Sequence, residues 1–98
     1  MGCIRAARLA EARRLRQWFW SIQAASSPDR AFKILSEHPS LEFAELYSGW
    51  SSWCRVRLHD GTYLVGGGAG WKDKAVCECS RYLYAELRKR FLVKDGES

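Results

Sequence analysis

Histidine is scarce in this sequence, and long apolar runs are missing from it. The 98 residues include two histidines, His38 before Pro39 and His59 beside Asp60-Gly61. No nucleophile elbow, His-Glu-x-x-His pair or Walker phosphate loop occurs. The glycine-rich run Gly66-Gly67-Gly68-Ala69-Gly70 lacks the Gly-Lys-Ser/Thr ending that a phosphate loop needs. These absences argue against the common hydrolase, metalloprotease and nucleotidase sites, so a non-catalytic protein without a cofactor is expected. No stretch is long and apolar enough to span a bilayer. Arg5, Arg8, Arg13, Arg14 and Arg16 interrupt the opening, which therefore does not read as a signal peptide. Met1-Gly2-Cys3 looks like an acylation start, but Ala6 stands where a myristoylation signal needs Ser or Thr.

The cysteines are Cys3, Cys54, Cys77 and Cys79. Without a secretory signal they are expected to be reduced, in the cytoplasm. Cys77 and Cys79 are two apart and point to nearly opposite sides of a helix. Cys54 and His59 fall on opposite faces of a strand. This spacing does not assemble a zinc site, and burial as small apolar residues is the expected role.

What is present is enough for one modest core. Hydrophobic residues make up 47% of the chain, including 5 Trp, 4 Tyr and 4 Phe. There are 16 Lys and Arg against 11 acids, a net charge of +5. Arg outnumbers Lys, and its planar fork suits phosphate or carboxylate. A basic balance of this size points to nucleic acid or an acidic protein surface.

Hydrophobic spacing predicts a helix from about Cys3 to Ala24. Ile4, Ala7, Glu11, Leu15, Trp18 and Ile22 form one stripe, in which Glu11 is the flaw. Trp18, Phe19 and Trp20 cannot all hide behind one helix face, so either the domain wraps them or they meet a partner. Ala25-Ser26-Ser27-Pro28 ends this helix. Ser27 as cap, Pro28 in the first turn and Asp29 at the positive dipole end start a short second helix, to about Glu37. Leu41–Tyr47 reads as a strand and 48–52 as a loop. Trp53–His59 alternates, with Cys54, Val56 and Leu58 on one face and Arg55, Arg57 and His59 on the other. Asp60-Gly61 predicts a two-residue type I′ hairpin with both positions at positive φ. Thr62–Val65 is the return strand. After the glycines a last helix runs from Lys72 to Phe91, with Val76, Cys79, Leu83 and Leu87 inward and Lys74, Arg81 and Arg88 outward. The strand, hairpin and helix stretch from Phe43 to Phe91 should hold the core.

The text from Trp53 to Ala75, with Gly66, Gly68, Gly70, Lys72 and Ala75 at matching places, resembles the double-stranded-RNA-binding domain family. The resemblance covers residues 28–91, within a domain expected over 28–92, preceded by an extra, Trp-rich amphipathic helix over 1–25 and followed by a flexible tail over 93–98. It implies an α+β fold of order α-β-β-β-α, a three-stranded antiparallel sheet packed on helices. It also implies shape recognition of A-form RNA across two minor grooves and the phosphates between them. By position, Lys72, Lys74 and Arg81 would grip phosphates, Arg30 and Lys33 would serve on the preceding helix, and Trp50 would be the loop contact.

The chain departs from the family at Asp73, where a second lysine is usual, and at Val76, where a later basic residue is usual. Trp50 stands where the strand loop usually carries Pro and His. Two functions therefore stay open. One is a duplex-RNA-binding module. The other is a protein-interaction module on the same fold: an adaptor, a dimeriser, or a small phage or mobile-element inhibitor of a nucleic-acid machine. Its contacts would be Trp18, Phe19, Trp20 and Trp71, with a homodimer through the first helix as one arrangement.

Overall fold

The computed structural model describes the backbone of residues 2–68 and 70–97 and the side chains of 6–67 and 70–90. Cys3, Ile4, Arg5 and Phe91, expected within the first and last helices, lie outside the described side chains, as does the acylation-like start; Ala69 lies outside the described residues altogether. The elements are α1 (Gly2–Gln23), α2 (Pro28–Ser36), β1 (Leu41–Ser48), β2 (Ser52–Leu58), β3 (Tyr63–Gly68) and α3 (Lys72–Glu97). The fold is α+β, in the order α-α-β-β-β-α.

Local signals account for α2. The Ser27 side chain accepts the Arg30 N–H at 3.2 Å, Pro28 sits in the first turn and Asp29 follows it. At the other end the Glu37 N–H donates to the Lys33 carbonyl, and Pro39 prevents continuation.

The three strands form one antiparallel sheet in the order β1-β2-β3. Cys54, Val56 and Leu58 of β2 are fully buried, as the alternation requires. They meet Leu35 of α2 and Ala75, Val76, Cys79, Leu83 and Leu87 of α3 in a single cluster. All helices lie on this side of the sheet. α1 packs against α2 and α3, with Leu15 and Ile22 buried.

Four expectations need correction. The β2–β3 turn is not type I′, because no residue other than glycine has positive φ. The Leu58 carbonyl accepts the Gly61 N–H, and the Leu58 N–H donates to the Thr62 carbonyl, both at 2.9 Å. The loop therefore has three residues, and Gly61 alone takes the left-handed place, at φ 93°. His59 belongs to that loop, where its Nε2 lies 3.1 Å from the Pro39 carbonyl oxygen, and not to the strand face. β3 does not stop at Val65 but runs on through Gly68. Gly66 pairs with Cys54, and a Cβ there would lie 2.4 Å from the Cys79 backbone nitrogen. The glycine lets β3 press onto α3 while it is still a strand. Lastly, α3 continues to Glu97, through the segment expected to be a tail.

The stripe on α1 is also only half used. Ala7 and Glu11 are exposed, and burial begins at Leu15. Glu11 is thus no flaw, since its side chain stands exposed. No helix among the described residues is long and apolar enough to cross a membrane.

Candidate nucleic-acid interface

Two constraints bring three element ends to one end of the molecule. The Lys72 ammonium lies 3.2 Å from the Asp29 carboxylate, so α2 and α3 begin side by side. Ser52 pairs with Gly68, so the β1–β2 tip stands beside the end of β3, just before α3. Trp50 projects from that tip and is fully exposed. Arg30, Lys72, Lys74 and Trp50 are therefore gathered at one end, although they are far apart in sequence, while Arg81 stands about 13 Å further along α3.

Their chemical states differ. Lys74, Arg81, Arg30 and Lys33 are exposed, and among the described residues none of them has an ion-pair partner. Lys72 is already committed to Asp29. Asp73 stands beside it in the first turn of α3 and accepts the Lys74 N–H at 2.9 Å. Carboxylates at a helix start are favourable to the helix, through its dipole, and unfavourable to a phosphate arriving there. Glu78 also lines this region. Five cations still outnumber three acids.

A cleft of about 740 Å³ runs between the end of α1, the α1–α2 linker and the first half of α3. Ile22, Gln23, Pro28, Trp71, Lys74 and Arg81 are among its walls. Trp71 is 79% exposed, so it does not staple α3 to the core. Its carbonyl accepts the Ala75 N–H at 3.1 Å, which fixes the start of the helix. Gln23 anchors the α1 side of the cleft: its amide donates to Ser80 Oγ at 3.3 Å and its carbonyl accepts the Cys77 thiol at 3.4 Å.

The aromatic cluster on α1 divides. The Trp18 ring is half-buried, donates Nε1–H to the Ile34 carbonyl at 3.3 Å and meets His38 edge-on at 4.6 Å. Phe19 stacks on Tyr84 at 4.5 Å. The domain itself wraps both. Trp20 remains 62% exposed.

Buried titratable groups are used for packing. Nδ1 of His38 accepts the Ser40 N–H at 3.1 Å and lies 2.7 Å from Ser40 Oγ. Burial lowers the pKa of this ring, which favours the neutral form. The Cys54 thiol is hydrogen-bonded to Cys79, and that bond together with burial raises its pKa far above the ordinary thiol value. Such thiols are poor nucleophiles and poor metal ligands.

The sequence reading missed the company that Arg55 and Arg57 keep. Register places Phe43, Glu45 and Tyr47 of β1 opposite Arg57, Arg55 and Trp53, with Tyr63 and Val65 of β3 on the far side. Alternation gave the arginine stripe, but only the pairing of strands supplies its neighbours.

No family model, curated protein or solved structure matches this chain. The functional reading therefore rests on the arrangement of its residues.

Proposed function

We propose that this chain is a non-catalytic binding module that recognises A-form duplex RNA through the end where α2, the β1–β2 tip and α3 come together. The observation that carries this reading is the convergence of three separate contact elements, fixed by the Lys72–Asp29 bond and the Ser52–Gly68 pairing. Duplex RNA read by shape requires several separated backbone contacts in a fixed relation. Lys74 and Arg81 on α3 with Arg30 and Lys33 on α2 supply cations at two of the three elements, and Trp50 extends the third. Lys72 is a weaker contributor, because Asp29 must first release it.

A salt-dependent titration with an RNA duplex of about 16 base pairs or more tests the proposal. Affinity should fall with salt at a log–log slope of several, with somewhat less than one unit for each phosphate neutralised. Single-stranded RNA and duplex DNA of equal length should bind more weakly. Lys74→Ala combined with Arg81→Ala should reduce both the affinity and the slope. Absence of duplex binding at low salt would sink the idea.

A protein-interaction role for the same fold is favoured by the exposure of Trp20 on α1 and of Trp71 at the cleft wall. Large exposed aromatics are typical anchors in protein interfaces. If duplex RNA does not bind, these two residues are the first to substitute in a search for a protein partner.

A further inference from the structure

Among the described residues no helix covers the other side of the sheet, which carries a specific pattern. Three rows cross it. Glu45 pairs with Arg55, which pairs with Val65. Phe43, Arg57 and Tyr63 form the second row, and Tyr47 and Trp53 the third. Tyr47, Tyr63 and Val65 are each about half exposed.

The charges on this face balance. Arg55 bonds Glu45 at 2.5 Å, and Arg57 lies 3.2 Å from Glu42, at the irregularity in β1. The Arg55 guanidinium also lies over the Trp53 ring at 5.2 Å and the Phe43 ring at 5.8 Å, and Arg57 over Tyr63 at 5.4 Å. Tyr47 and Trp53 stack at 5.1 Å. Two carboxylates among the arginines disfavour a polyanion here. Exposed Tyr, Trp and Arg with balanced charge are the composition of a protein interface.

We infer that this face docks a second copy of the same chain, in a two-fold dimer with the two sheets face to face. The charge layout selects the axis. All carboxylates lie on β1 and all guanidinium groups on β2. A two-fold axis parallel to the strands and between β1 and β2 sets each copy's β1 over the other's β2. Glu45 of each then faces Arg55 of its partner, extending two intramolecular pairs into a ring of four charges of alternating sign. Tyr47 and Trp53 meet the same pair from the other copy. An axis through β2 would instead set Arg55 against its own copy, which like charge forbids. The contact is isologous, as closed dimers require. Aromatic burial drives it, and the charges fix its register.

The size of the face sets the strength. Under this axis only β1 and β2 of each copy overlap, roughly 25 by 10 Å on each side, which places the interface below the roughly 1,200 Å² in total of stable complexes. The dimer is therefore weak, with a Kd on the order of micromolar to a hundred micromolar.

Sedimentation equilibrium on the full chain, from about 1 µM to 1 mM, tests this over the range where such a Kd must show. Wild type should pass from monomer to dimer. Glu45→Arg alone and Arg55→Glu alone should each remain monomeric, because each sets like charges against one another where residue 45 of one copy faces residue 55 of the other. An equimolar mixture of the two should form a heterodimer, and the double exchange in one chain should dimerise again. Circular dichroism on each single variant checks that it is folded. Recovery in the mixture separates loss of docking from loss of fold, since neither chain has changed. A wild type that stays monomeric at about 1 mM overturns the inference, as does a dimer that survives either single exchange. A monomeric wild type whose tryptophan fluorescence is quenched by single-stranded RNA, with the quenching lost in Trp53→Leu, overturns it in favour of nucleic acid.

Discussion

The ammonium of Lys72 sits 3.2 Å from the carboxylate of Asp29, 43 residues away in the chain, and joins the starts of α2 and α3. Asp29 is largely exposed, and exposed pairs stabilise by about 1 kcal/mol at most. Asp29→Asn should therefore leave stability nearly unchanged while releasing Lys72. Under the RNA reading, duplex affinity should rise roughly twofold to fivefold at low salt. A titration at two salt concentrations checks this, since the gain should shrink at the higher one.

Trp18 contributes packing and one hydrogen bond that fastens α1 to α2. Fully buried tryptophans lost to Ala cost about 3–5 kcal/mol, and this one is half-buried. Trp18→Ala should destabilise by about 2–3 kcal/mol, measured by urea unfolding. Trp20→Ala, one residue pair further along and exposed, should change stability by about 0.5 kcal/mol or less.

Gly66 has no room for a methyl group. The nearest atoms are backbone atoms of Cys79 and Ala75, which cannot rotate away. Gly66→Ala should cost about 3 kcal/mol or prevent folding. Gly61→Ala meets no atoms within 4 Å, and its penalty is conformational only, about 1 kcal/mol. Thermal melts of the two variants should separate a packing cost from a backbone cost.

His38 makes stability depend on pH. Its folded pKa is lowered by burial, so the unfolded state binds a proton more readily. The stability this gives is fully present above the unfolded value near 6.5 and is lost as the pH falls through 6.5 toward the lower folded value. The urea midpoint should fall between pH 7 and pH 5. His38→Asn, which keeps an acceptor for the Ser40 N–H, should flatten that dependence.

Much of the fold could be read from the sequence because its signals are local. Ser27, Pro28 and Asp29 state where α2 begins without reference to the rest of the chain. Cys54, Val56 and Leu58 show the buried face of β2 by alternation alone. The misreadings occurred where a distant element decides. The length of the β2–β3 loop depends on the register of its flanking strands, and Asp-Gly suits two- and three-residue loops alike. Gly66 falls in the glycine run between β3 and α3 in the sequence, and its place inside the strand, against Cys79, appears only once α3 lies on β3. The candidate site divides in the same way. Lys74 and Arg81 follow from helical spacing, whereas the loss of Lys72 to Asp29 is a tertiary event. On the bare face, Arg55 was legible, but Glu45 and Tyr47 beside it depend on which residues of β1 pair with β2.

All three helices lie on one side of the sheet, so the molecule has a front and a back. A dimer joined at the bare sheets turns both helical sides outward. Under the RNA reading, two binding ends then become part of one particle, and the second engagement on a long duplex is intramolecular. Tenfold or greater gains of avidity need no additional contact, provided the duplex can reach both ends. Binding to long duplexes should then steepen with protein concentration in the range where the chain dimerises, while binding to short duplexes should not.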